Sequence, residues 1–171
     1  MRNFSFAAAV LAVAAMVSTP QLLADDGKLQ ADMGAMTAHS VMVGTLELTG
    51  AFTRAMPPGA RAGGGFVTIT NQGDKSDRLV SATSPAAPVV EIHEMKMDGD
   101  VMVMRQREYG VLVPAGETVL LAPGGLHIMF MQVPKPFVEG EDIAVTLTFE
   151  EAGPVEILLK VAPIGATGMA H

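Results

Sequence analysis

The 171-residue chain contains no cysteine and no tryptophan, one tyrosine and only four histidines. Without cysteine there is no disulfide framework and no thiolate zinc site, so stability must come from packing and from the secondary structure itself. Basic residues are scarce too: 11 Lys and Arg stand against 18 Asp and Glu, a formal net charge of −7. That sign argues against a nucleic-acid partner, because phosphate backbones are held by clustered Lys and Arg. Long apolar runs are also missing. The stretch from Phe6 to Val17 is too short for a comfortable membrane span, and nothing later reaches the ~18 uninterrupted apolar residues of a transmembrane helix.

The amino-terminal stretch is informative in another way. Arg2 is followed by the small, apolar run, Pro20 breaks it, and the acidic pair Asp25-Asp26 comes next. This is the pattern of a secretory signal peptide over residues 1–24, with cleavage expected after Ala24. The expected product is an exported, soluble protein with no membrane insertion. Removing the leader takes away Arg2 and no acid, so the remainder is one unit more acidic. Its length suits a single domain with a proper core.

Strand patterns dominate the rest. Ile143, Val145, Leu147 and Phe149 alternate with Ala144, Thr146 and Thr148, and Val155, Ile157, Leu159 and Val161 repeat the period after a turn at Glu151-Ala152-Gly153-Pro154. These two strands predict a hairpin. Further strands are predicted over 46–54, 65–71, 77–82, 89–97, 101–107, 118–122 and 126–133, separated by Pro57-Pro58-Gly59, Asn71-Gln72-Gly73-Asp74, Asp98-Gly99, Pro114-Ala115-Gly116 and Pro123-Gly124-Gly125. Many short strands with no convincing helical period predict an all-β antiparallel sandwich or Greek-key barrel over 42–162. Small, Gly/Ala-rich residues over 25–41 and 163–171 predict flexible tails.

Histidine and methionine are concentrated in two of these strands. With Asp98 and Gly99 as the central residues of a type I′ turn, Met95 lies opposite Met102 and His93 opposite Met104. A three-residue loop would instead pair His93 with Arg105 and dissolve the cluster. On the other segment His127, Met129 and Met131 point to one side, and Leu126, Ile128 and Phe130 to the other. A set of His93, Met104, His127 and Met129 offers two imidazoles and two thioethers, a neutral donor set suited to Cu(I). Methionine is also a common core filler. At this point ligation and packing both remain open, most of all for Met95, Met97 and Met131.

Other constellations carry less chemistry. Gly63-Gly64-Gly65 opens a strand and lacks a following Gly-Lys-Ser/Thr, so close backbone packing explains it better than a phosphate cradle. Glu91 and Glu94 flank His93 but face opposite sides of a strand, which leaves a paired-carboxylate mechanism unsupported. No Gly-x-Ser-x-Gly occurs around any serine. No catalytic site is predicted, and the chain is not expected to be an enzyme.

Taken together, Gly64-Gly65-Phe66-Val67-Thr68-Ile69-Thr70-Asn71, Gly73-Asp74-Lys75-Ser76-Asp77-Arg78-Leu79, Val90-Glu91-Ile92-His93-Glu94-Met95, Val101-Met102-Val103-Met104-Arg105 and Pro123 to Met131 strongly resemble the PCuAC family of periplasmic copper chaperones. The resemblance runs from about residue 45 to 161. It includes the family signature of a His, ten residues, a Met, about twenty-two residues and His-x-Met. It implies a cupredoxin-like β-sandwich, a periplasmic location and a Cu(I) site with His93, Met104, His127 and Met129 as metal ligands. It also implies delivery of copper to cytochrome c oxidase subunit II for assembly of the Cu(A) centre, in some cases with a Sco-type protein. The absence of a cysteine thiolate favours metal transfer over blue-copper electron transfer. Met33, Met36, His39, Met169 and His171 form a second candidate set, for Cu(II), in the tails. Rival readings are copper storage or detoxification with the same residues, and a structural or adhesive sandwich without metal.

Overall fold

The computed structural model describes residues 40–168. The expected leader and the tail set Met33, Met36, His39, Met169 and His171 lie outside the described residues. Among the described residues eleven strands occur: β1 Val41–Val43, β2 Leu46–Arg54, β3 Ala62–Asn71, β4 Asp77–Thr83, β5 Val89–Asp98, β6 Val101–Gln106, β7 Val111–Val113, β8 Thr118–Leu121, β9 Leu126–Met131, β10 Asp142–Phe149 and β11 Gly153–Ala162. Among the described residues there is no helix, and so none that is long and apolar enough to cross a membrane.

Hydrogen bonding links the strands in the order β6-β5-β9-β8-β3-β2-β11-β10-β4-β7, with β1 on β2 and a further pairing of β9 with β3. Both ends of this ribbon feed one interior. Ile128 and Phe130 of β9, Ile69 of β3, Leu159 of β11, Val145 and Leu147 of β10, Leu79 of β4 and Val113 of β7 are all fully buried in one cluster. A ribbon whose two halves share a core must curl upon itself, which makes the all-β, cupredoxin-like sandwich. The pairing is antiparallel except for β11 with β2 and β8 with β9, which run parallel. The sheet is therefore mixed where a wholly antiparallel one was expected.

The strongest period-two pattern holds up residue by residue. In β10, Ile143, Val145, Leu147 and Phe149 are buried while the residues between them are not, and Val145 faces Ile157 across the β10–β11 hairpin. Gly65 shows why a strand of this core opens on glycines. A Cβ there would stand 2.8 Å from Leu159 Cδ1 and 2.9 Å from the Phe130 ring, so only glycine lets β3 approach so closely.

Two buried polar side chains pin the end of the sandwich where β4 and β7 lie. Asn71 donates to the carbonyls of Lys75 (2.8 Å) and Val113 (3.1 Å) and accepts from Gly73 N–H (3.0 Å). Asp77 accepts from the N–H groups of Arg78 (2.6 Å), Glu151 (2.9 Å) and Ala152 (3.0 Å), tying β4 to the β10–β11 turn. Each offsets its burial with several partners, as a polar group in a low-dielectric interior must.

Candidate metal site

The site lies on the β6-β5-β9 side of the ribbon. The register there differs from the expected one. Asp98 pairs with Val101, so Gly99 (φ 63°) and Asp100 are the central turn residues, and Met95 faces Met104 while His93 faces Gln106. A left-handed glycine at the first central position fits a two-residue hairpin loop without steric cost. Each residue of β5 has thus gained a partner two places further along β6 than predicted. Because side chains alternate with period two, a shift of two preserves the face. Met104 remains on the side of the ribbon that carries His93, diagonal to it instead of opposite.

On its other edge β5 pairs with β9, and here His93 faces His127 directly while Glu91 faces Met129. The two imidazole rings have centroids 6.0 Å apart and are tilted by 47°. A metal bound to an imidazole nitrogen sits about 2 Å from it, so two rings at this separation are near enough to share one ion. His93, His127, Met129 and Met104 therefore share one face: the histidines form a rung, Met129 belongs to the rung on one side and Met104 to the rung on the other. The alternation in β9 is as expected, with Ile128 and Phe130 in the core and Met129 half-buried on the far side.

The hydrogen bonds of the two rings are complementary. His127 Nδ1 lies 3.0 Å from the Gly125 carbonyl, which only accepts, so the proton is on Nδ1 and Nε2 carries a lone pair. His93 is arranged the other way round. Its Nε2 lies 2.8 Å from Glu91 Oε2, which holds the proton on Nε2 and leaves Nδ1 as the lone-pair nitrogen. That Nδ1 is buried and has no hydrogen-bond partner. A buried polar atom without a partner costs about 1–3 kcal/mol, and a transition-metal ion is a partner that fits an imidazole lone pair. A ligating histidine whose other nitrogen is held by a carboxylate or carbonyl is the usual arrangement around a bound metal.

Glu91 is the residue that strand patterning should have singled out. It stands two positions before His93 and so shares its face, whereas Glu94 points the other way and pairs with Arg107 at 3.2 Å. The histidines are the well-covered part of the site: His127 is 5% exposed, whereas Met104 is 45% exposed. Among the described residues no group of three or more His, Asp or Glu gathers as a metal site. Any ion held here would need the thioethers, a preference that favours Cu(I) over harder cations.

Residues 46–161 match the family LpqE-like, described as "Putative lipoprotein LpqE-like". A curated relative, "Putative lipoprotein Lxx21020" of Leifsonia xyli subsp. xyli (strain CTCB07), is 34% identical over 117 residues, which cover 67% of this chain and 69% of that one. The chain is a PCuAC-type member of the LpqE-like family. Solved structures similar to this LpqE-like protein include an apo PCuAC domain from PmoF1, with TM-score 0.63, 27% identity and coverage of 73% of this chain and 99% of that one. A copper-bound PCuAC domain from PmoF2 matches with TM-score 0.62, 26% identity and coverage of 73% and 98%. The solution structure of CuI-DR1885 from Deinococcus radiodurans matches with TM-score 0.56, 27% identity and coverage of 72% and 80%.

Proposed function

We propose that this protein is an exported, periplasmic Cu(I) chaperone, not an enzyme, that binds one ion through His93, His127, Met104 and Met129 and passes it on. The observation that carries this reading is the unpartnered, buried Nδ1 of His93 on the rung shared with His127. Support comes also from the copper-bound and Cu(I)-bound states named for two of the similar structures.

The arrangement suits a carrier. Two imidazoles fixed by Glu91 and Gly125 supply preorganised nitrogen, so little side-chain ordering is left to oppose binding. The thioethers lie on either side, with Met104 the more exposed, and form neutral, individually weak bonds. An acceptor can displace Met104 first and Met129 next while the histidines still hold the ion, so transfer needs no unfolding. The acceptor we propose is cytochrome c oxidase subunit II, at its Cu(A) centre, alone or together with a Sco-type protein. A further Cu(II) site in the tails, from Met33, Met36, His39, Met169 and His171, is the secondary part of this reading; tail truncation would lower Cu(II) stoichiometry if it holds.

Anaerobic titration with Cu(I) against a strong competing chelator tests the proposal. One tightly held equivalent is expected, weakened in Met104→Ile and Met129→Ile with the fold intact. Unchanged affinity in both variants rejects the ligand set. Transfer of the loaded ion to an oxidase subunit II fragment tests the acceptor, and a failure to transfer would favour storage.

A further inference from the structure

Four methionines of the β5–β6 hairpin have no structural employment. The observed register sets Met95 opposite Met104 and Met97 opposite Met102. Since Met95 and Met97 are two apart on one strand, both pairs share a face, and it is the face of His93. None of the four belongs to the apolar core clusters. Met97 is 53% exposed, Met102 51% and Met104 45%. The reverse face of the same hairpin is charged, with Arg105 on Asp98 at 3.0 Å and Arg107 on Glu94 at 3.2 Å.

We propose that Met97 and Met102, with Met95 and Met104 behind them, form a second, weaker Cu(I) site near the hairpin tip. Directly opposed strand residues have Cβ atoms about 5 Å apart, and the flexible methionine side chain lets two or more sulfurs turn onto one ion. A purely thioether set is soft and uncharged, which selects a monovalent soft cation over zinc, calcium or magnesium. The next rung lies about 7 Å away along the strands and contains Met104, which the proposed main site also uses. An ion taken up at the exposed tip can therefore advance by exchanging one sulfur at a time toward the two imidazoles, and leave by the same route. Core filling does not account for thioethers held in water, and solubility would be served better by polar residues at these positions.

This inference rests on the reading of the main site as a Cu(I) site, and one experiment separates the two. The full chain, with methionine methyl groups labelled with carbon-13, is titrated anaerobically with Cu(I) and followed by methyl NMR. The first equivalent is expected to move Met104 and Met129. The second is expected to move Met97 and Met102 with a dissociation constant at least roughly tenfold weaker. In Met97→Leu/Met102→Leu, which keeps the side chains apolar, the second step should disappear while the first stays within about twofold. Met97 and Met102 signals that remain still through two equivalents, or a second step that persists in the double variant, overturn the tip site. Signals of Met104 and Met129 that fail to respond to the first equivalent overturn the main site, whatever the tip does.

Discussion

Two polar clusters sit at different places in this sandwich and are finished in opposite ways. At Asn71 and Asp77 every side-chain polar atom has at least one partner and most have two. At His93 and His127 each ring is held by one nitrogen, and His93 Nδ1 is left with nothing. A fold that satisfies one cluster so completely is capable of satisfying the other. Under the function proposed above, the difference separates an anchor, whose role ends within the protein, from a receptor, whose role is completed by something that arrives. Identity of residue type does not make this distinction, since both clusters are polar and include buried side chains. Valence left open does.

The comparison predicts a double dissociation. Replacing either ring, as His93→Leu or His127→Leu, should lower Cu(I) affinity by about a thousandfold, a change of about 4 kcal/mol, with unfolding in urea little changed because the ring carries few structural bonds. Competition against a Cu(I) chelator measures the first quantity and a urea titration the second. Loss of the fold in these variants would turn the receptor into another anchor.

The reciprocal substitution is the next largest. Asp77→Ala strands three N–H groups and should lower the unfolding free energy by about 3 kcal/mol, read as a lower urea midpoint, with Cu(I) affinity per folded molecule unchanged. A loss of affinity as large as that in the His93 variant would erase the contrast.

Glu91 sharpens the picture because it touches the ligand and not the ion. Glu91→Leu removes the acceptor of His93 Nε2 and should weaken Cu(I) binding by about 10–100-fold, while Glu91→Gln, whose amide oxygen still accepts, should recover part of it. Nitrogen-15 NMR of the histidine ring reports the same event directly: the Nε2-protonated form is expected in the wild type and in Gln, and a mixture of forms in Leu. Equal affinities for Leu and Gln would assign Glu91 to packing.

The smallest effect belongs far from both clusters. Glu141 accepts from Lys135 Nζ at 3.1 Å and from Val138 N–H at 3.3 Å, which lowers its pKa below the ordinary Glu value. A carboxyl whose folded pKa is depressed stabilises the protein above its unfolded pKa and loses that contribution as pH falls through the depressed value. The gap in stability between wild type and Glu141→Gln should thus shrink on acidification. It should be smaller at every pH than the gap produced by Asp77→Ala, because the ion pair is exposed to solvent. Urea melts at neutral and acid pH check it.

Much of the arrangement was legible in the residues themselves. The alternation in β10, β11 and β9 announces which side chains enter the core, since burial of one face is what a strand's sequence encodes most directly. The sharing of a face by His93 and Met104 was also readable, and it survived an error in register because the error was an even number. The register itself was not readable: Asp98-Gly99 and Gly99-Asp100 are both acceptable turn pairs, and only the pairing of the whole hairpin chooses between them. The three-residue strands β1 and β7 are too short to show a period. Asn71 and Asp77 read from sequence only as turn chemistry and part of a motif, because their partners come from up to 75 residues away. Glu91 has no second acid beside it, and its relevant neighbour is the imidazole two positions on.

One oxygen atom ties these parts into a mechanical whole. The Gly125 carbonyl accepts from His127 Nδ1 at 3.0 Å and also from Met95 N–H at 3.1 Å. The same fulcrum thus steadies an imidazole and the base of the methionine-bearing arm. A force that bends the arm loads that pivot, so the strain reaches the ring as well.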